Sequence, residues 1–264
     1  MVAATLLVSL VSAAGAAPPD VTTPDHTVWD RLLKQYVNEN YRVDYARLQQ
    51  EALPGLDGYL AELAKVDYSS LSASEQKAFL INDYNALTVR WILSYYPVRS
   101  IWATPDPFKK ARHTLGGRLV SLDDIESLLR QAGDPRIHAA LVCAARSCPP
   151  LRREAYTGAQ IESQLEDNTR RWLADPGLNR FDAGGRADVS PIFKWYREDF
   201  ESQPAGLAGF LKKYAPQPAG GNRQEKDLDI HFNEYNWGLN DRSDLGKDHS
   251  GFDLVVDKIR SWFR

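Results

Sequence analysis

Hydrophobic residues recur every three or four positions over several segments of the chain, a pattern typical of amphipathic helices. It predicts helices over residues 28–37, 53–66, 72–96, 121–130, 157–173, 191–200, 207–214 and 252–263. The longest is also the best marked, because Ser72 and Glu75 have the spacing of a capping box and Pro97 follows the last periodic position. Its apolar face is wide, so we expect it to be the central helix of the core.

Shorter segments carry the signals of strands. Residues 113–120 and 178–190 each place two short strands around a Gly-Gly pair, which predicts two hairpins, and residues 230–235 alternate as a strand. The nearly continuous apolar run from Ile137 to Cys143 predicts a buried central strand. Residues 216–226, rich in Pro, Gly and charge, predict a loop. The whole pattern predicts one α+β domain, with the long helix packed on a small, mainly antiparallel sheet.

The N-terminus has the pattern of a secretory signal peptide. Leu6 to Val11 belong to an apolar run of roughly ten residues, the length of a signal core and too short to span a bilayer. Ala14-Gly15-Ala16 supplies a small-residue cleavage site, while the usual basic residues at the start are missing. We expect residues 1–16 to be a signal peptide and residues 17–264 to form one secreted or periplasmic domain that does not insert into the membrane.

Charge and motifs narrow the class of protein. The formal net charge is −3 with both signs interspersed, which gives no reason to expect nucleic acid as a partner. The sequence lacks a phosphate-binding glycine loop, a Gly-x-Ser-x-Gly elbow and a dinucleotide fingerprint, which argues against kinases, serine esterases and Rossmann enzymes. We therefore predict no cofactor, and a small-molecule or peptide substrate or a protein partner.

Cys143, Cys148 and His138 are the residues best suited to chemistry, because a neighbouring imidazole can generate the thiolate that thiol catalysis requires. On a regular strand His138 and Cys143 point to opposite faces, so Cys148, beyond the strand, is the better candidate to approach His138. In an oxidising compartment the two cysteines can instead form a disulfide beside a structural histidine. A zinc site that also uses His231 or His249 matches no usual spacing, so we predict no metal.

Two further polar residues are candidates. Asn85 interrupts the apolar surface of the long helix, although asparagine favours helix ends. Asp123 and Asp124 suit the first turn of a helix, where the helix dipole favours carboxylates, and this leaves Glu126 as a candidate for a buried polar role.

Segments 79–87 (FLINDYNAL), 122–126 (LDDIE) and 137–151 (IHAALVCAARSCPPL) resemble, in this order, the domain-of-unknown-function 547 family. Segments 192–200 and 235–240 look like its later motifs, so the similarity runs from about Val28 to Asn240. The family commonly has histidine after the Ile-Glu pair, where this chain has Ser127. The motifs place Glu126, Cys143, Arg146 and Trp195 among the candidates for binding or for a polar network.

A more distant likeness is to papain-like thiol enzymes such as phytochelatin synthase. It implies a central helix, a histidine that opens a core strand and an Asp or Asn on a neighbouring strand, here Asn85, His138 and Asp188. The implied activity is a thiol hydrolase or transferase acting on an amide, such as a peptide or γ-glutamyl bond. Cys148 is then the nucleophile, His138 the base, and Asp188 or Asn85 the orienting group.

The alternative is a non-catalytic binding or scaffold module of the cell envelope. In that case Asn85, Glu126 and His138 form a structural polar network, and the two cysteines are free to form a disulfide.

Overall fold

Local sequence signals explain where most of the helices begin and end. The computed structural model of the protein describes residues 23–216 and 227–247, together with residues 253, 255–257 and 259. The helices are α1 (Thr27–Tyr36), α2 (Tyr45–Glu51), α3 (Leu53–Leu63), α4 (Ala73–Tyr95), α5 (Leu122–Gln131), α6 (Ile161–Ala174), α7 (Ile192–Trp195), α8 (Arg197–Glu201) and α9 (Gly206–Tyr214).

Side-chain caps start the two helices that position the site. At α4 the Ser72 hydroxyl accepts a hydrogen bond from the Glu75 N–H group, which is one half of the predicted capping box. At α5 the capping box is complete, because Ser121 accepts from the Asp124 N–H group and the Asp124 carboxylate accepts from the Ser121 N–H group. Each such bond satisfies a backbone donor that the first helical turn leaves free.

The strands form two small sheets. β1 (His113–Leu115) and β2 (Arg118–Val120) make an antiparallel hairpin around Gly116 and Gly117, whose φ angles of 54° and 75° favour glycine. β3 (Arg180–Phe181), β4 (Arg186–Val189) and β5 (Asp229–Phe232) form the second sheet, in which β4 pairs antiparallel with β3 and parallel with β5. The predicted hairpins are confirmed, and the fold is α+β.

The long helix α4 lies at the centre of the main core. Every residue from Ala78 to Val89 is buried, which is typical of a helix enclosed by other elements. Its principal neighbours are the helices α3, α5 and α6. The three-stranded sheet contributes Ala187 and Val189 to a second apolar cluster, built largely from α6, α7, α8 and α9.

The predicted central strand from Ile137 to Cys143 is wrong. Residues Pro135–Ala139 form a 3₁₀ helix, and the backbone that follows is irregular. Asparagine side chains satisfy this backbone in place of a neighbouring strand. Asn85 donates to the Ala140 carbonyl and accepts from the Val142 N–H group, both at 2.9 Å. A buried peptide group needs a hydrogen-bond partner, but the partner does not have to be a strand.

Three predictions fall largely on residues that lie outside the described part of the chain. These are the signal peptide at residues 1–16, the loop at 216–226 and the C-terminal helix at 252–263. Among the described residues, no helix combines the length and hydrophobicity needed to cross a membrane.

Candidate active site

A pocket of about 300 Å³ opens where the two apolar clusters meet. One side is formed by four aromatic residues, which we call the aromatic wall: Trp102, Trp195, Tyr235 and Trp237. Three carboxylic acids also line the pocket: Asp106, Asp123 and Glu126. His138 and Cys143 contribute to the same lining, so an imidazole and a thiol face one cavity.

His138 is held in place by an acid and by aromatic rings. It lies on the 3₁₀ helix, is only 3% exposed, and its Nε2 atom lies 2.7 Å from Asp199 Oδ2. Its ring stacks on that of Tyr196, with centroids 4.1 Å apart. Arg130 binds the same Asp199 carboxylate through two hydrogen bonds of 2.6 and 2.9 Å. An ionised carboxylate can only accept a hydrogen bond, so Nε2 carries the hydrogen and donates to Asp199, which leaves Nδ1 as the basic nitrogen of the neutral ring.

The charges of this group follow from burial and pairing. Burial lowers the pKa of His138 to about 4, and the nearby Asp199 offsets the effect only in part. Partial burial opposes ionisation of Asp199, but hydrogen bonds from Arg130 and His138 outweigh it and hold the pKa of Asp199 below its ordinary value. At neutral pH the site therefore contains a neutral imidazole beside a carboxylate.

The side chain of Glu126 extends from α5 into the pocket. Burial raises the pKa of Glu126 above its ordinary value, and a hydrogen bond from Tyr196 partly opposes that shift. Tyr196 thus links Glu126 to His138, since one side of its ring stacks on the imidazole while its hydroxyl meets the carboxylate. The expected polar role of Glu126 remains a prediction, and these contacts are compatible with it.

The two cysteines lie side by side. Their sulfur atoms are 2.6 Å apart, and the Tyr235 hydroxyl is 3.2 Å from Cys143 Sγ and 3.3 Å from Cys148 Sγ. Cys148 is 6% exposed and lies behind Cys143, which is the one that lines the pocket. The predicted strand over residues 137–143 favours Cys148 as the cysteine that approaches His138, and the structure does not contain that strand.

The environment of Cys148 stabilises a thiolate. Its sulfur accepts hydrogen bonds from the backbone N–H groups of Cys143 and Ala145, at 3.1 and 3.3 Å. Burial opposes ionisation of Cys148, but hydrogen bonds from the Cys143 thiol, the Tyr235 hydroxyl and these two N–H groups outweigh it and lower its pKa. The hydrogen bond to Cys148, together with burial, raises the pKa of Cys143. The pair therefore loses its first proton more easily than its second, and the remaining proton lies between the two sulfur atoms.

Besides Cys148, three candidate residues from the sequence lie away from the pocket lining. Asn85 is bound to the loop after the 3₁₀ helix, and Asp188 lies on β4, where its carboxylate pairs with Arg186 at 2.8 Å. Arg146 pairs with Asp244 at 2.7 Å. The structure places Asp199, rather than Asp188 or Asn85, against the imidazole of His138.

Little in the sequence marks Asp199, Tyr196 and Tyr235 as site residues. All three fall in segments 192–200 and 235–240, where the family resemblance marks only Trp195 as a candidate. Among the described residues, no group of three or more His, Cys, Asp and Glu side chains is arranged to hold a metal ion.

The fold and the pocket define an α+β domain whose cavity is lined by a thiol, an imidazole and aromatic rings. Residues 68–173 match the family described as "Protein of unknown function, DUF547", and this match supports the resemblance to that family. The matched segment contains α4, α5, His138 and both cysteines, but it ends before Trp195 and Asp199. No curated protein and no solved structure matches the chain, and the papain-like likeness has no support.

Proposed function

We propose that the protein is a thiol-dependent hydrolase or transferase acting on an amide bond, with its reaction in the aromatic pocket. The observation that carries the proposal is that Cys143 and His138 line one cavity while Asp199 holds the imidazole from behind. A nucleophile, a base and a group that orients the base are the three parts that such chemistry requires.

Each residue has one task. Cys143 attacks the amide carbonyl carbon, and its proton passes to Nδ1 of His138. Asp199 stabilises the imidazolium that forms, and Arg130 fixes the Asp199 carboxylate. The imidazolium returns the proton to the departing amine, which leaves a thioester on Cys143. Water, in a hydrolase, or another nucleophile, in a transferase, then releases the acyl group.

Cys148 supports the nucleophile from behind. Because its sulfur accepts two backbone N–H groups, it carries negative charge more easily than Cys143 does. At rest the shared proton therefore stays on Cys143, whose thiol donates a hydrogen bond to Cys148 and is oriented by it, and Cys143 becomes a nucleophile when His138 takes that proton. We assign this reaction to a secreted or periplasmic protein, in keeping with the signal-peptide pattern at residues 1–16.

One observation favours the alternative of a non-catalytic binding module. The sulfur atoms of Cys143 and Cys148 are in direct contact, so oxidation can join them without moving the backbone far. With both sulfurs in a disulfide, the pocket retains its aromatic and acidic lining and can still bind a ligand.

Alkylation with iodoacetamide, read by intact mass and peptide mapping, separates the two functions. For the thiol enzyme we expect Cys143 to be labelled without reductant, and more slowly in His138→Gln than in the wild-type protein. Asp188→Asn, which changes an acid outside the pocket, is the matched control and should leave the rate unchanged. A purified protein that is lighter by two hydrogens and resists labelling until it is reduced would refute the thiol mechanism and support the binding module.

A further inference from the structure

The aromatic wall is more exposed than the packing of the core requires. Trp195 is 48% exposed, and its ring lies 4.8 Å from that of Tyr235 and 5.8 Å from that of Trp237. Trp102 continues the wall, with its ring 5.4 Å from that of Trp237. Clustered aromatic rings left open to solvent at a cavity are typical of a surface that a ligand covers.

The charge of the same cavity is negative. Asp106, Asp123 and Glu126 line it, against a single lysine among the described lining residues, Lys109. His138 adds no positive charge at neutral pH, because burial lowers its pKa to about 4. The cavity thus combines electron-rich ring faces with carboxylates that outnumber the cations.

We infer that the pocket binds an organic ammonium group, held against the faces of the aromatic wall and balanced by the carboxylates of Asp123 and Glu126. The inference rests on the proposed function, because it assigns this ammonium group to the substrate whose amide bond Cys143 attacks. It narrows the substrate class to amides that carry a cationic amine close to the scissile bond.

Physical reasons favour a cation over other ligands. The faces of tryptophan rings attract cations more strongly than those of other aromatic side chains. Burial raises the pKa of Glu126 and of Asp123, and a cation bound between them would favour their ionised forms. A phosphate or carboxylate ligand would instead meet acids of its own sign, and a neutral sugar would leave their charge unbalanced.

A matched pair of small probes tests the inference. Choline and 3,3-dimethylbutan-1-ol have the same shape, but only choline is charged. In titrations of the purified full chain followed by tryptophan fluorescence, we expect choline to bind about tenfold more tightly than the alcohol. Trp195→Leu and Glu126→Gln should each bring choline close to the affinity of the alcohol. The control is Glu62→Gln, whose side chain is 73% exposed outside the pocket and which should change nothing.

Thermal unfolding of each variant shows that a lost affinity does not reflect a lost fold. Equal binding of choline and the alcohol, tighter binding of N-acetylglucosamine than of choline, or no saturable response to choline would each overturn the inference. The thiol function has a separate readout. Choline binding without alkylation of Cys143 would refute only the thiol function, whereas alkylation of Cys143 that choline fails to slow would count against the ammonium site alone.

Discussion

Asp83 gives the sharpest quantitative test of the fold. It lies on α4, is 3% exposed, and among the described residues its carboxylate has no hydrogen-bond or ion-pair partner. Burial alone raises its pKa from 3.8 to about 7. Because the unfolded chain loses this proton at lower pH than the folded chain does, stability is lost as the pH rises from about 4 to about 7, and the loss persists above that range.

The perturbation is Asp83→Asn, which keeps the shape of the side chain and removes its titration. From the two pKa values, the titration of Asp83 lowers the free energy of unfolding, relative to its value at low pH, by about 1.5 kcal/mol at about pH 5 and by about 4 kcal/mol at about pH 8. Between these two pH values the free energy of unfolding of Asp83→Asn should therefore rise by about 2–3 kcal/mol relative to that of the wild-type protein. Any cost of burying the amide is the same at both pH values, so it does not affect this difference.

Urea unfolding followed by tryptophan fluorescence at the two pH values measures the difference in free energy of unfolding. Glu39→Gln, at a side chain that is 93% exposed, is the control and should show no comparable change with pH. If the difference in free energy of unfolding between Asp83→Asn and the wild-type protein is the same at both pH values, burial does not raise the pKa of Asp83 and the reasoning fails.

Three further predictions concern the site. Asn85→Ala should lower the free energy of unfolding by about 2–4 kcal/mol in urea titrations, because two buried backbone groups lose their partner; a change below about 0.5 kcal/mol would contradict this. In NMR titrations Arg130→Gln should raise the pKa of His138, because the guanidinium charge lowers that pKa in the wild-type protein. Asp199→Asn should lower the pKa of His138 further. If both variants shift this pKa in the same direction, the proposed network is wrong. His138 has a folded-state pKa of about 4, below its ordinary 6.5, so acid favours the unfolded chain. The wild-type protein should lose up to about 3 kcal/mol more than His138→Gln between about pH 6.5 and about pH 4, and parallel stability curves would exclude a buried neutral imidazole.

The parts of the fold that depend on local signals could be predicted from the sequence. Ser72 and Ser121 cap helices, and Gly116-Gly117 turns a hairpin, through interactions within a few residues of each other. The 3₁₀ helix at Pro135–Ala139 could not be predicted in this way, because the side chains that satisfy the backbone near it come from distant helices. One of them is Asn168 on α6, whose amide donates to the Ala139 carbonyl at 2.5 Å.

The same distinction applies to the site. His138, Cys143 and Cys148 stood out because their side chains have chemistry of their own. Asp199 did not, because the sequence contains many acids and only the tertiary fold brings this one, 61 positions away, to the imidazole. The likeness that suggested Asp188 assumed a strand order, and the chain instead supplies the acid from a short helix.

Tyr235 belongs to two parts of the pocket at once, since its ring forms part of the aromatic wall and its hydroxyl touches both sulfur atoms. If ligand binding or oxidation of the two sulfur atoms displaces the Tyr235 side chain, the two events are therefore thermodynamically linked. By reciprocity, a ligand that prefers the reduced pair makes the pair harder to oxidise, and oxidation weakens that ligand by the same factor. In an oxidising environment, occupancy of the pocket would then help to set the lifetime of the thiol.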